Sequence, residues 1–91
     1  MERLVYARDY YCDELYNEYG NWCATNCKVQ VKPDGTFDID YIIKAMVDED
    51  WLIEPVSIDK TKVTEDEFYY YLWIKEDNQW TEPLFKIEKE E

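Results

Sequence analysis

Carboxylates are the reactive groups that this sequence offers in quantity. The chain has 22 Asp and Glu against 10 Lys and Arg, a net charge of −12, and no histidine. It therefore lacks the side chain whose ordinary pKa suits acid–base catalysis near neutral pH, and its two glycines leave no Gly-rich phosphate loop. Carboxylate pairs hydrolyse sugars in glycosidases, but many pairs arise by chance here, and 91 residues leave little room for a deep cleft. The residue types predict a protein that is not an enzyme.

Metal binding is the next chemistry that the side chains suggest. Cys23 and Cys27 are spaced as two zinc ligands can be, but a closed tetrahedral site needs two more. Residues 48–50, and the group Asp34, Asp38 and Asp40, offer the oxygen ligands that Ca²⁺ or Mg²⁺ prefers. Neither group has the twelve-residue loop pattern with its central glycine and terminal glutamate. We expect solvated turns at these positions and no metal or other cofactor.

The cysteine count indicates a reducing compartment. Cys12, Cys23 and Cys27 are an odd number, and the two arginines in residues 1–8 are not followed by the apolar segment of a signal peptide. We therefore expect free thiols in the cytoplasm, which is the bacterial host cytoplasm if a phage encodes the chain. No run of about 18 apolar residues is present, so no membrane-spanning helix is predicted.

The excess of acid is the strongest functional signal in the sequence. One net negative charge per eight residues, or −12 in 91, exceeds the roughly 2–8 charges that solubility of a small domain requires. Such an excess destabilises the folded state through self-repulsion. It also repels phosphate, which argues against direct binding of nucleic acid or an anionic membrane. A basic protein is the partner that this charge favours.

An ordered acidic surface can imitate nucleic acid. Carboxylates three or four residues apart on a helix lie about 5–6 Å apart at Cβ, comparable with successive phosphates along a strand. The sequence thus predicts a non-catalytic inhibitor that binds the basic nucleic-acid-binding surface of a nuclease or other DNA- or RNA-binding protein. In size and charge the chain is similar to viral proteins that disarm bacterial restriction or CRISPR nucleases and to immunity proteins that block nuclease toxins, although no motif matches a particular family.

The predicted partner-binding residues are acids and the aromatic residues that accompany them. The aromatic rings are expected to stack on arginines of the partner. The acids are Asp9, Asp13, Glu14, Glu18, Asp48, Glu49, Asp50, Glu65, Asp66 and Glu67, and the aromatic anchors are Tyr69, Tyr71 and Trp73.

A second hypothesis assigns the charge to solubility alone. The chain would then be a structural or adaptor module that binds a protein through an exposed Tyr and Trp face of its sheet. That protein could be a second copy of the chain, so both a monomer and a homodimer are consistent with the sequence.

Residues 67–87 are predicted to form a β-hairpin around which the fold is organised. Apolar and aromatic residues alternate over 68–75, a polar break follows at 76–79, and a second apolar run covers 80–87. Alternation places Tyr69, Tyr71 and Trp73 on the sheet face opposite that of Tyr70, Leu72 and Ile74. Pro83 lacks a ladder donor, so the last strand is expected at a sheet edge or to begin at Leu84.

The remaining elements are predicted from periodicity and caps. Asp9 as N-cap and Gly20 as C-cap predict an amphipathic helix. Its flanks are a short strand or helix lead-in over 2–7 and a turn of helix over 21–27. Further along, residues 28–32 are predicted to form a strand, residues 33–36 a tight turn and residues 36–40 a return strand. The residues that follow, to about 49, are predicted to form a helix. A strand also fits 38–50, and two antiparallel strands are predicted at 51–58 and 63–74.

Together these elements predict one small acidic α+β domain over residues 1–91. It has an antiparallel sheet of four or five strands with one or two helices packed on one face. Residues 88–91 are expected to fray.

Overall fold

The computed structural model describes residues 2–8, 22–80 and 82–89. Within these residues, five strands form one antiparallel sheet in the order β2-β1-β5-β4-β3, and one helix packs on the sheet. The predicted α+β class is therefore confirmed. The strands are β1 Glu2–Arg8, β2 Trp22–Gln30, β3 Thr61–Glu65, β4 Tyr69–Ile74 and β5 Pro83–Glu88; the helix is α1 Ile39–Asp48, and Ile58–Lys60 is a 3₁₀ turn.

The predicted central hairpin is confirmed as β4 and β5. Asp77 and Asn78 both have positive φ, 49° and 61°, and the bracketing residues Glu76 and Gln79 exchange backbone hydrogen bonds of 3.0 and 2.8 Å. Two consecutive left-handed residues match the twist of a two-residue hairpin turn, and Asp and Asn tolerate that conformation well. The polar break in the sequence therefore encodes the turn itself.

β5 lies between β1 and β4, in the centre of the sheet, and the predicted edge position is wrong. Pro83 is the first residue of the strand, opposite Trp73, where the pairing with β4 shifts register. A proline is tolerated there because the ladder is already irregular. Phe85 and Ile87 require the central place, since both are almost completely buried.

The end of β5 is held on the sheet as far as Lys89, and residues 90 and 91, which are also predicted to fray, lie outside the described residues. Glu88 is the last residue of β5, and the amide of Lys89 donates to the carbonyl of Phe68 at 2.9 Å.

The pairing of β1 with β2 contains an irregularity that a buried threonine fills. Register shifts between Leu4 and Tyr6, so that β2 has more residues than β1 along this stretch. The hydroxyl of Thr25 donates to the carbonyl of Val5 at 2.7 Å and accepts from the amide of Cys27 at 3.1 Å. A side chain thus replaces ladder hydrogen bonds that the bulge removes.

Two predictions for this part of the chain have different outcomes. Residues 2–7, predicted as a strand or a helix lead-in, lie in β1. The predicted helical turn at 21–27 is wrong, because residues 22–30 form β2, in which burial alternates with a period of two from Ala24 onward. The helix predicted between Asp9 and Gly20 lies outside the described residues.

α1 begins at Ile39, within the segment predicted as the return strand. The side chain of Asp38 accepts from the amide of Tyr41 at 3.1 Å, and Ile42, Ile43 and Met46 form its buried stripe. The helical alternative for this segment is therefore confirmed. The predicted return strand over 36–40 is wrong, because the cap at Asp38 starts the helix before any strand can pair.

The strand predicted at 51–58 is wrong as well. The amides of Trp51 and Leu52 both donate to the carbonyl of Met46, at 2.8 and 3.1 Å, and so complete the end of α1. Backbone that caps a helix is not available to a sheet ladder. The strand predicted over 63–74 is two strands, β3 and β4, joined by a turn at 66–68.

The core lies between α1 and one face of the sheet. Its members come from every strand except β3 and from the buried stripe of the helix. The largest fully buried side chains are Phe85, Ile42, Met46, Leu72, Ile87, Val5 and Val29.

The tight turn after β2 depends on Gly35. The amide of Gly35 donates to the carbonyl of Lys32 at 2.8 Å, and the carboxylate of Asp34 accepts from the amide and hydroxyl of Thr36 at 2.9 and 2.6 Å. Gly35 has φ +86°, and a Cβ added there would lie 2.7 Å from the hydroxyl oxygen of Tyr70. The position thus excludes a side chain for two reasons, conformation and space.

Gly35→Ala is expected to lower the free energy of unfolding by about 2 kcal/mol, because it adds left-handed strain and a close contact. The same change in a Tyr70→Phe background removes the contact and leaves the strain, so it is expected to lower stability by only about 1 kcal/mol. Urea denaturation of the parent, the two single variants and the double variant measures both the strain and the contact. Equal losses in the two backgrounds would contradict the contact with Tyr70.

Candidate functional site

Three predicted acids occupy the end of α1 and are called here the helix-end cluster: Asp48, Glu49 and Asp50. Asp48 is the last helical residue, and Glu49 is the C-cap. Asp50 follows in the left-handed region with φ 66°, and its amide donates to the carbonyl of Val47 at 3.1 Å. With the bond from Trp51 to Met46, this is the Schellman arrangement, in which glycine is the usual left-handed residue.

The helix-end cluster is electrostatically unfavourable for the fold. The carboxyl end of a helix carries partial negative charge, and α1 has no basic residue in its last turn. Asp48 and Asp50 are exposed, and no ion pair to the three acids is present among residues 2–8, 22–80 and 82–89. Glu49 is half-buried and accepts from the amide of Asn26 in β2 at 3.0 Å. Three adjacent carboxylates thus lie at the helix end that tolerates them least.

A second group of predicted acids lies between β3 and β4 and is called here the turn cluster: Glu65, Asp66 and Glu67. Asp66 accepts from the amides of Phe68 and Tyr69 and from the hydroxyl of Tyr71, each at 2.8 Å. These hydrogen bonds, led by that from the Phe68 amide, hold the pKa of Asp66 below its usual value. Asp66 therefore has a structural role in the turn.

The other two acids of the turn cluster differ from Asp66. Glu65 forms an ion pair with Lys89 at 2.8 Å, which offsets its charge. Glu67 is exposed. The turn cluster thus presents less uncompensated charge than the helix-end cluster.

The two clusters lie at opposite edges of the sheet. Glu49 is bonded to β2, which is one edge strand, and Glu65 belongs to β3, which is the other. Four strand spacings of about 4.8 Å separate these edges, roughly 19 Å in all. The predicted acids at Asp9, Asp13, Glu14 and Glu18 lie outside the described residues.

The predicted aromatic anchors share the sheet face opposite α1, which is called here the aromatic face. Tyr69, Tyr71 and Trp73 are half-buried on it and alternate with the core residues of β4. The ammonium of Lys86 in β5 lies 4.1 Å from the ring centre of Tyr69 and 4.9 Å from that of Trp22. The aromatic rings thus already surround a cation of this chain.

A second lysine covers the other end of the aromatic face. Lys62 in β3 lies 4.6 Å from the ring centre of Trp73 and 4.7 Å from that of Trp80. The indole N–H of Trp73 donates to the hydroxyl of Thr64 at 2.8 Å. Trp73 is therefore fixed in orientation by Thr64 in β3, and Tyr71 by Asp66 in the turn before β4.

Sequence reasoning missed the cations on this face. Burial lowers the pKa of Lys86, and the nearby positive charge of Arg8 lowers it further. Arg8 itself lies 4.1 Å from the ring centre of Trp22. Lys86 is opposite Tyr71 in β4 and Tyr6 in β1, so the strand order and register were needed to find these contacts. The only local signal was a lysine between the apolar residues Phe85 and Ile87.

The phenol of Tyr71 is expected to titrate at about pH 12, because desolvation raises its pKa and the carboxylate of Asp66 raises it further. Because the pKa of Tyr71 is higher in the folded state than in the unfolded state, the protonated phenol contributes to stability. This contribution is fully present below pH 10 and is lost as the pH rises through about 12. Asp66→Asn removes the charge and is expected to lower the Tyr71 pKa toward the ordinary value. NMR titration of ¹³C-labelled tyrosine measures it, with Asp59→Asn as a control of equal charge. A Tyr71 pKa that is the same in both variants would contradict the contact.

A cleft with a volume of about 470 Å³ lies between residues 50–57 and the sheet. Its lining carries three cations and three carboxylates, so it has no preference for ligand charge. They are Arg8, Lys60, Lys75, Asp50, Glu54 and Glu76.

The described part of the chain has neither a cluster of metal ligands nor a membrane-spanning helix. No group of three or more Cys, Asp or Glu residues there is arranged to hold a metal ion. Cys27 is a buried thiol. None of the described helical residues belongs to a helix with the length and apolar content needed to cross a bilayer.

Comparisons of the chain with protein-family models, curated proteins and solved structures found no match.

Proposed function

We propose that this chain is a non-catalytic inhibitor that binds the basic nucleic-acid-binding surface of a nuclease or another DNA- or RNA-binding protein. The helix-end cluster is the primary contact in this proposal. The observation that carries it is the placement of Asp48, Glu49 and Asp50 at the carboxyl end of α1 without an ion pair in the described chain. Charges that destabilise their own helix are favourable when a partner supplies the compensating cations.

The geometry of the acids favours a concave partner surface. The helix-end and turn clusters lie at opposite edges of the sheet, and these edges are roughly 19 Å apart. One flat basic patch would therefore contact only one of the two clusters. A channel lined by Lys and Arg, such as one that encloses nucleic acid, would meet both. Long-range attraction would then speed association, and contacts at the cluster would determine its orientation.

In this proposal the aromatic anchors have a changed role. Lys86 and Lys62 already lie over Tyr69 and Trp73, so stacking on arginines of a partner would require these lysines to move. The acids therefore supply the primary contact, and the aromatic face maintains the shape of the sheet that presents them.

The experiment that tests the proposal begins with affinity capture from a bacterial lysate at low salt, with stepwise salt elution. A captured nucleic-acid-binding protein that added DNA or RNA displaces is the expected result. Its affinity is then measured for the triple variant Asp48→Asn, Glu49→Gln and Asp50→Asn. We expect affinity to fall about tenfold, since each exposed charge pair contributes about 0.2–1 kcal/mol.

The matched control neutralises three other exposed acids and so has the same net charge: Glu54→Gln, Asp59→Asn and Asp77→Asn. We expect less than about a threefold change, since long-range attraction alone is affected. The helix-end variant is also expected to be more stable than the parent by about 1 kcal/mol, because it relieves the helix dipole. Equal binding by the parent and both variants would contradict the proposal.

The adaptor hypothesis remains a second proposal, favoured by the concentration of half-buried rings on one sheet face. Trp22 and Tyr71 have ring centres 6.4 Å apart, and Tyr69 and Tyr71 6.0 Å. Binding through this face would survive high salt and fail in Tyr71→Ala or Trp73→Ala. Binding through the helix-end cluster would show the reverse.

A further inference from the structure

One edge of the sheet has unpaired backbone groups in an ordered, alternating array. Among the described strands, β3 pairs with β4 alone. The amide of Asp66 donates to the carbonyl of Tyr69 at 3.0 Å, and that of Lys75 donates to Lys60 at 2.8 Å. In an antiparallel ladder, bonded and non-bonded residues alternate, so Lys62 and Thr64 also direct their backbone groups toward β4.

The intervening residues direct their backbone groups away from the sheet. These are Thr61, Val63 and Glu65, of which Thr61 uses its amide to bond Ile58. The amides of Val63 and Glu65 and the carbonyls of all three remain available to a neighbouring strand. Within residues 2–8, 22–80 and 82–89 they have no other backbone partner.

The opposite edge of the sheet is protected in a way that β3 is not. On β2, the amide of Asn26 is capped by the carboxylate of Glu49 at 3.0 Å. A side chain that occupies an edge group is one protection against strand addition. Among the described residues, no side chain caps the amide of Val63 or Glu65.

The surroundings of β3 specify the chemistry of an added strand. Val63 is 42% exposed and Phe68 is 67% exposed, so apolar side chains would find contacts beside the edge. The turn cluster lies at the end of the strand, and its exposed acid Glu67, which has no ion pair among the described residues, supplies negative charge. A second copy of this chain is disfavoured as the occupant, because each copy carries −12.

We propose that the edge of β3 binds an extended, Lys- or Arg-rich segment of the partner protein as a sixth strand. Main-chain hydrogen bonds to Val63 and Glu65 would hold the segment, and its cations would meet the turn cluster. The identity of the partner in this inference rests on the proposed function. The partner would then make two contacts, one with the helix-end cluster and one with the backbone of β3.

The test uses a synthetic eight-residue peptide of alternating lysine and valine, followed by amide hydrogen exchange. In the free protein, the amides of Val63 and Glu65 are expected to exchange faster than those of Lys62 and Thr64. The peptide is expected to slow exchange at Val63 and Glu65 selectively. The same peptide with N-methyl groups on alternate amides lacks the donors and is expected to have no such effect.

Two substitutions of one residue separate the backbone from the side chain. Both Val63→Pro and Val63→Ala remove the valine side chain. Proline also removes the outward backbone N–H, whereas alanine keeps it. Proline is tolerated in edge strands where the missing N–H faces solvent, so both variants are expected to fold. We expect Val63→Pro to weaken peptide binding about tenfold relative to Val63→Ala.

The outcomes distinguish this inference from the proposed function. Equal peptide binding by Val63→Pro and Val63→Ala, or no protection of Val63 and Glu65, would overturn the strand-addition proposal and leave the helix-end test unaffected. A second result would also overturn only the strand-addition proposal. In that result, the helix-end variant fails to capture the target, whereas both Val63 variants capture it equally well. Failure of target capture by the parent would overturn the proposed function, while the exchange experiment would still decide whether β3 accepts a strand.

Discussion

Phe85→Ala is expected to lower the free energy of unfolding by about 4 kcal/mol, whereas Phe68→Ala is expected to change it by less than about 0.5 kcal/mol. Phe85 is 2% exposed in the central strand β5, and its removal leaves a cavity beside α1 and the neighbouring strands. Phe68 is 67% exposed at the turn before β4. The same chemical change is therefore applied at the centre of the core and at its margin.

Urea denaturation followed by fluorescence measures both effects by linear extrapolation. A domain of this size has a total stability of about 5–14 kcal/mol, so the first variant is expected to unfold at a far lower urea concentration. Similar midpoints for the two variants would contradict the central position of β5. That result would restore the edge position expected from Pro83.

Thr64→Pro is expected to lower stability by about 3 kcal/mol or more, and Val63→Pro by less than about 1 kcal/mol. The backbone N–H of Thr64 faces Tyr71 in β4, so proline removes a ladder bond and places its ring against the neighbouring strand. The N–H of Val63 faces outward, so the same substitution one residue earlier removes no bond within the sheet.

Circular dichroism and urea denaturation of the two proline variants measure this difference. The control is the pair Val63→Ala and Thr64→Ala, in which the backbone donors remain. Thr64→Ala removes a methyl group and the hydroxyl that accepts from Trp73. If Val63→Pro were the more damaging variant, the deduced alternation of inward and outward groups along β3 would be wrong.

The sequence predicts best where local and tertiary preferences agree. Alternation over β4 placed Tyr69, Tyr71 and Trp73 on one face correctly, and the polar residues at 76–79 form the expected turn. These signals depend only on residues within a few positions of each other.

The failures occur where distant contacts override the local pattern. Residues 51–58 have the composition of a strand, but Trp51 and Leu52 are bonded to the end of α1. Thr25 lies in β2 because its hydroxyl fills a bulge formed with β1. Neither bond is visible before the elements have been placed next to each other.

The candidate site shows the same division. The acid runs at 48–50 and 65–67 could be read directly, but not their positions at opposite edges of the sheet. The cation at the centre of the aromatic face, Lys86, became evident only from its register with Tyr71 and Tyr6. Runs of acids are thus readable from sequence, whereas their positions on the sheet and their cross-strand neighbours are not.

The pairing of β1 with β5 determines when the sheet can form during synthesis. Ala7 and Phe85 are partners, and 85 − 7 = 78 positions separate them in the chain. At 5–20 residues per second, β1 waits roughly 4–16 s for β5 to be translated. Until then the β3 strand and β4 can form a local hairpin, but β1 and β4 have no strand between them. The centre of this sheet is therefore assembled last, and folding of the domain as a cooperative unit follows translation of β5.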